Sequence, residues 1–540
     1  MTDKLTERFF IIDTEHPENI QPGLYGVMFT DDGFLIGPDV PEQQTRIGYY
    51  TMVQKTGNAV TVTQDFIGAF GIYFYQNNGR TVLSNSFFRL ADYLKGQLTV
   101  NKEAIRALIA SSFAPVSVED TPAKEIIKLD SQVSVMIDLN SGRVTIEKTP
   151  FPYFRRKLDN AESFADLDRW YERWVSLFRS LIIQDYSINS DLSGGFDTRI
   201  AFSMLKNAGL ELDSIRTLSH EKVTLAKDSD DYRIASEMAA DHHFELNRKV
   251  DISEKIGKAN PEDSFRKCRY VSYAGTITNK YCLTDYSRPA IFIKGLFSSI
   301  KGNVWSNSIE TARKENIRTF KNICNESGMS LLKRFSELSA QDRYMNGQFR
   351  RFLSEPFNDE RDIAVLHQKL IVEKLDARKA VDWFMNNQLI VSPFADPDLV
   401  QFDYNRADRG DNQFLATLIL DRYSPELLKY EIQGRRLDKQ TLVLVRELNR
   451  KYPHGAKYPK DSVRHEPVTV TSSSLSSAEM GQYLKQIWMS EEFENRLRKY
   501  ADPKLINYIR KTVKTDKINS GSQPMNALLA VYEFDKLLDR

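Results

Sequence analysis

Two patterns of hydrophobic and polar positions divide the chain. Up to about residue 150 the apolar residues come in short runs split by turn residues: FFIID, YGVMFTDDGFLIG, AVTVTQDFIGAFGIYFYQNNGRTVLSNS and VSVMIDLNSGRVTIEK. Asp31-Asp32-Gly33, Asn77-Asn78-Gly79 and Asn140-Ser141-Gly142 stand between such runs, where hairpins need residues that tolerate positive φ. The pattern predicts a β-rich domain over residues 1–150. One helix interrupts it, with Asn101 capping KEAIRALIASSF.

Around residue 151 the spacing changes to that of helices. Between Phe164 and Ile183, Leu167, Trp170, Trp174, Leu177, Phe178 and Leu181 mark one helical face. The chain then alternates short strands with long helical stretches, which predicts a parallel sheet covered by helices, and reads as almost wholly helical from about residue 305. This gives a second domain over 151–460 and a helical C-terminal extension over 461–540, joined through the Ser-rich Thr471 to Ser477. The charges of the extension predict a solvated helical face, with a partner surface as the alternative. The fold class expected is α/β with α+β.

Composition narrows the function. At 540 residues the chain exceeds the size at which one core stops growing, so two or more domains are expected. Lys and Arg number 74 against 73 Asp and Glu, a net charge of +1 without the basic excess of a dedicated nucleic-acid binder. No nucleic-acid partner is expected. Cys268, Cys282 and Cys324 lack the close spacing of a zinc or redox pair and read as reduced thiols in a cytoplasmic protein. No run approaches the about 18 apolar residues of a membrane span, so no membrane partner is expected either. Oligomeric state is open, a homodimer included.

The chemistry concentrates in SINSDLSGGFDTRIAFSMLKNAG. Ser187 to Leu192 reads as a strand, Ser193-Gly194-Gly195 as a tight turn, and Phe196 to Lys206 as a helix ending near Gly209. Such a turn favours an anion. Two glycines let backbone amides approach a phosphate, Ser193 adds a hydroxyl, and the helix presents its positive end. Asp197, in the first helical turn, is suited to hold a magnesium ion against the same phosphates. The bland alternative is a strand-to-helix turn with glycines for geometry alone. The segment is neither GxxxxGK[ST] nor GxGxxG.

It resembles instead the pyrophosphatase loop of asparagine synthetases, β-lactam synthetases and lasso-peptide cyclases. The resemblance extends loosely over residues 60–435. Ile215 to Ser219 looks like the second strand, which places backbone groups on adenine, and DSDDYRIASEMAADHHFE like the helix after it. Ser392 to Val400 resembles the PFLD segment. Asp65 to Phe70 resembles the core hairpin of the family's glutamine amidotransferase domain, and Thr121 to Met136 with Asp138 its last strands. The resemblance implies an Ntn-amidotransferase-like sandwich, degenerate here, followed by an ATP pyrophosphatase domain. It implies ATP and Mg²⁺ at Leu192, Ser193, Gly194, Gly195, Asp197, Thr198, Leu218, Ser219 and Gly295, with Asp197 as metal ligand and Asp197 and Lys301 as catalytic residues.

Three departures accompany it. Ile293 to Gly302, which matches GxGxDE, contains no carboxylate. Asp411 to Ala416, which matches KxxLR, has neither Lys nor Arg; Arg409, Arg422, Arg435, Arg436 or Lys301 could substitute, the alternative being that they are surface or structural charges. Position 2 is Thr2 where family glutaminases carry the cysteine nucleophile, so no glutaminase activity is expected. Adjacent His242 and His243 read as structural, since neighbouring side chains diverge. The expectation is an AMP-forming ligase joining a small-molecule or peptide carboxylate to an amine. Its rivals are a nucleotide-binding scaffold or regulator that keeps the fold without catalysis, and a transfer-RNA-modifying enzyme, which the net charge and the absence of a reactive-cysteine motif oppose.

Overall fold

In a computed structural model of the chain, the structure describes residues 9–30, 33–37, 45–105, 119–131, 133–148, 157–183, 187–212, 216–218, 229–246, 261–262, 290–295, 388–404, 413–432, 436–455, 458, 477–501, 503–514 and 523–539. The described residues of the first half build ten strands: β1 (Ile11–Asp13), β2 (Gly23–Thr30), β3 (Gly33–Gly37), β4 (Gly48–Thr56), β5 (Ala59–Gln64), β6 (Tyr73–Asn77), β7 (Arg80–Ser84), β8 (Ile126–Lys128), β9 (Val133–Asp138) and β10 (Val144–Lys148). They form two antiparallel sheets, ordered β1-β7-β6-β8 and β10-β9-β5-β4-β2-β3. Alternation along the strands sends Val60, Val62, Val135 and Ile137 of the larger sheet against Ile12, Phe74 and Leu83 of the smaller. Burying these side chains between two sheets holds the sandwich together.

Two of the three predicted turns form where the sequence places them, and Asp31 and Asp32 of the third lie outside the described residues. Asn78 (φ 48°) and Gly79 (φ 83°) are both left-handed, the conformation a two-residue β6–β7 hairpin requires. In the β9–β10 turn Asp138 accepts the Asn140 amide at 2.9 Å, and Gly142 has φ 66°. Asn101 Oδ1 accepts the Ala104 amide at 3.2 Å, as the cap predicted there should. Asp65 to Phe70 is not a hairpin. β5 belongs to the larger sheet and β6 to the smaller, so this segment carries the chain across from one to the other. The buried Asp65 organises it by accepting the amides of Tyr50, Ile67 and Ala69 at 2.9–3.0 Å. Burial pushes its carboxyl up to about 7, against the pull of those amides and Arg46. The aromatic and glycine content that resembles a hairpin serves this crossing.

The second half opens on a long helix, Ala161–Ile183, and its predicted face is buried throughout. With α1 as Phe87–Tyr93, this helix is α2. There follow β11 (Ser187–Asp191), α3 (Phe196–Asn207), β12 (Arg216–Leu218), α4 (Asp230–Asp241), β13 (Ala290–Ile293), β14 (Gln388–Val391), α5 (Pro397–Tyr404), α6 (Phe414–Tyr423), a 3₁₀ turn (Pro425–Lys429) and α7 (Lys439–Lys451). The four strands are parallel, ordered β12-β11-β13-β14. β14 corrects the helical reading from residue 305 onward: QLIV is four residues, too short to display a period.

The two halves share one core. Val27, Phe29 and Tyr49 of the sandwich pack with α2, and the Phe29 and Trp174 rings meet edge to face at 5.9 Å. Asp396, before α5, is fully buried; it accepts Arg173 Nη1 at 2.8 Å and Trp174 Nε1 at 2.9 Å, fastening α5 to α2.

The helices α8 (Ser477–Met489), α9 (Glu491–Leu497), α10 (Pro503–Lys514) and α11 (Gln523–Leu538) return to the sandwich. Leu484, Trp488, Leu497, Leu529 and Phe534 are buried with Phe87 and Leu90 of α1 and with Tyr75 and Val82 of the smaller sheet. The charges read from the sequence as a solvated face pair among these helices, Arg496 and Lys499 both reaching Asp535 at 3.0 Å. Among the described residues no helix is long and apolar enough to cross a membrane.

Candidate functional site

In a parallel sheet ligands bind beyond the carboxyl ends of the strands, where the chain reverses its direction of growth. Here the chain runs from β11 outward to β12 and then crosses back to β13 on the other side of β11. The reversal lies between β11 and β13. The loop after β11 is Leu192 to Gly195, and the residues after β13 are Lys294 and Gly295. A Cβ on Gly295 would lie 2.4 Å from Asp197 Cβ, so only glycine allows this approach. Two segments some hundred residues apart in sequence are therefore brought face to face at the position the topology favours.

The loop is organised from within. Ser193 N–H donates to Thr198 Oγ1 at 3.1 Å, the two hydroxyls lie 3.0 Å apart, and Gly195 N–H donates to Ser193 Oγ at 3.1 Å. Ser193 and Thr198 thus shape the turn, a use of these hydroxyls that anion-binding arguments leave out. Gly195 is the N-cap of α3, with Asp197 in the first turn, and Gly209 (φ 80°) closes the helix end. On the other flank a Cβ on Gly194 would meet Asp231 Oδ1 and Ile234 Cδ1 of α4 at 2.9 Å. Asp231 Oδ1 is buried without a hydrogen-bond partner among the described residues.

Sequence reasoning passed over two cations here. Lys294 Nζ pairs with Asp191 Oδ2 at 3.4 Å, joining the carboxyl ends of β13 and β11. Its position directly after a strand is the signal that could have singled it out. Arg199, one turn into α3, is fully buried. Its guanidinium donates to the carbonyls of Leu427 (3.3 Å), Tyr430 (3.2 Å), Glu431 (2.6 Å) and Gly194 (3.3 Å). Burial pulls its pKa down to about 10, with Tyr430 pulling the other way. Nothing in SGGFDTR alone distinguishes it from a surface arginine.

Of the predicted residues, Leu192, Ser193, Gly194, Gly195, Asp197, Thr198 and Gly295 come together around this crevice. The backbone of Leu218 closes β12, whose strand pairs with β11 along Asn189 to Asp191. Ser219 and Lys301 lie outside the described residues, as do Thr2, Arg409, Arg435 and the three cysteines. Arg422 is committed elsewhere, to Asp168 at 2.6 Å. His242 packs its ring on Phe202, and His243 (φ 56°) ends α4, so both serve the helix terminus. Among the described residues no three His, Cys, Asp or Glu side chains gather as a metal-holding group. No protein-family model matches the chain, and no curated protein matches it.

Proposed function

We propose that the crevice between β11 and β13 binds ATP with magnesium and that the protein is an AMP-forming amide ligase of the asparagine synthetase kind. The observation that carries the reading is the seating of Asp197 on Gly295 across the reversal point, beside a glycine turn that opens a helix. The residues suit the cation: Asp197 would offer it a carboxylate, and Asp231, whose buried Oδ1 has no hydrogen-bond partner among the described residues, stands on the other flank of the loop. Magnesium, when bound, neutralises phosphate charge. Lys294, paired with Asp191, stands at the same strand ends.

In the proposed reaction a carboxylate oxygen attacks the α-phosphorus, the bond to the bridging oxygen breaks, and pyrophosphate leaves. An amine nitrogen then attacks the acyl carbon, AMP departs, and the amine proton passes to solvent. The substrates are a sugar acid, a peptide or another small carboxylate together with an amine. On this reading the sandwich corresponds to an amidotransferase-like domain without its cysteine, the parallel sheet to an ATP pyrophosphatase domain, and residues 461–540 to an added helical extension. Asp197→Ala should weaken MgATP binding in calorimetry, and turnover should release AMP and pyrophosphate. Equal affinity in the two proteins removes the site assignment; ADP and orthophosphate as products remove the reaction class.

A second reading, a nucleotide-binding scaffold or regulator, is favoured by residues 293–302 having no carboxylate and 411–416 no Lys or Arg. ATP binding without AMP formation across a panel of carboxylates and amines would support it.

A further inference from the structure

We infer that Arg199 is a positioning residue for phosphate: it holds the Gly194 carbonyl out of the crevice and ties the loop to the segment that straps α3 and α4 together. The inference rests on the nucleotide reading of the site and assigns a role to a residue outside it. Arg199 is fully buried. What it holds is backbone. One acceptor, the Gly194 carbonyl, belongs to the loop; the other three belong to residues 427–431.

A trans peptide points its carbonyl and the following amide in opposite directions. Drawing the Gly194 carbonyl toward Arg199 therefore turns the Gly195 amide away from it, to Ser193 Oγ at 3.1 Å. If that peptide turned over, a carbonyl lone pair would point where phosphate oxygens are expected, and the interaction would change from neutral to repulsive. Glycine on both sides makes the turnover sterically easy. A donor behind Gly194 is what opposes it.

Residues 425–431 supply the leverage. Glu426 pairs with Lys206 of α3, Tyr430 and Lys429 bond Asp241 of α4 at 2.9 and 2.6 Å, and Glu431 pairs with Arg233 of α4 at 2.6 Å. This strap crosses the two helices that flank the loop, and Arg199 pins its middle from beneath. A buried guanidinium bonded, among the described residues, to carbonyls alone is costly, and its Nε has no partner there. A fold needing only packing here would be served by an apolar side chain, whereas four carbonyls aimed at one point need a planar, multi-donor cation. The retained positive charge also sits behind the place where phosphates bind.

The test measures MgATP and adenosine binding for wild type, Arg199→Lys, Arg199→Ala and Asp197→Ala in the full chain, with melting temperatures alongside. The expected result is a loss of ATP affinity of on the order of tenfold or more in both Arg199 variants, the worth of one charged hydrogen bond, with adenosine affinity unchanged. Guanidinium at millimolar concentration, filling the space left in Arg199→Ala, should recover part of the ATP affinity. Equal losses for ATP and adenosine, or ATP binding by folded Arg199→Lys as tight as wild type, would overturn the inference. Should Arg199→Ala fail to fold, Arg199→Lys decides alone. Absence of ATP binding by wild type would instead remove the nucleotide reading beneath it.

Discussion

At the scale of single residues the candidate site is governed by space as much as by charge. Gly295 illustrates it: a methyl group there would overlap Asp197 Cβ at 2.4 Å, and backbone stands on one side of that contact. Gly295→Ala should therefore lower MgATP affinity about as much as Asp197→Ala while leaving the melting temperature within about 2 °C, because only a surface crevice is disturbed. Calorimetry and thermal melting of the two variants check both halves. A second residue prediction concerns Asp168. Burial pushes its carboxyl up, but His454, Arg422 and Tyr423 donate to it and hold it at about 2. A depressed carboxyl contributes stability above the unfolded value of about 3.9 and loses it as pH falls through the folded value. The melting-temperature gap between wild type and Asp168→Asn should be widest near neutral pH and close as pH falls from about 4 towards 2. SGGFD was legible in the sequence because its hydroxyl, its glycines and its acid fall within five residues. Arg199 and Lys294 were not, because Asp191 and all of Arg199's acceptors but Gly194 lie more than a hundred residues away, and local spacing does not encode which carbonyl an arginine will face.

Elements were legible to the extent that they repeat. The buried face of α2 can be written down from its spacing, and the β6–β7 turn from Asn78 and Gly79. The opposite edge of α2 was silent: nothing in the spacing singles out Arg169 and Arg173, yet both reach Asp398, and Arg173 also holds the buried Asp396. The segment that resembles PFLD thus acts here as a clamp between α2 and α5, ahead of any contact with a ligand. Asp396→Ala should cost about 1–3 kcal/mol, since it leaves the buried Trp174 indole without its acceptor and Arg173 with Asp398 alone. Chemical denaturation at neutral pH would measure it, and a loss under about 1 kcal/mol would mean that the clamp contributes little. Asp65 teaches a related lesson. Its loop carries the composition of a hairpin, but pairing is decided by the neighbouring strands, which the sequence does not order.

Over the whole molecule the least expected arrangement is the return of the chain's last helices to its first sheet. The sequence showed helices dense in charge from about residue 480, and nothing in a local pattern says which surface 400 residues upstream receives their apolar side. The physics of the small sheet supplies the reason for the contact. One of its faces packs on the larger sheet, while Tyr73, Tyr75 and Val82 point the other way, and α1 contributes only Phe87, Phe88, Leu90 and Ala91 to that side. A sheet with two apolar faces needs a layer on each. Leu484, Trp488, Phe493, Leu497, Leu528, Leu529 and Phe534 furnish the second one. A chain ending before Ser477 should therefore lose the cooperative unfolding of the sandwich and expose apolar surface to a dye, although every described strand remains encoded. The point variant Phe534→Ala separates packing from chain length: its ring lies 5.4 Å from Phe87 and is fully buried, so its removal should cost about 3–5 kcal/mol in the melting of the sandwich. MgATP affinity should be unchanged in Phe534→Ala, because the cluster that holds Phe534 is separate from the core beneath the crevice. Loss of ATP affinity in step with stability would show that the sandwich and the crevice unfold as one unit. A truncated chain with unaltered melting and no dye binding would show that the helices merely rest on the sheet.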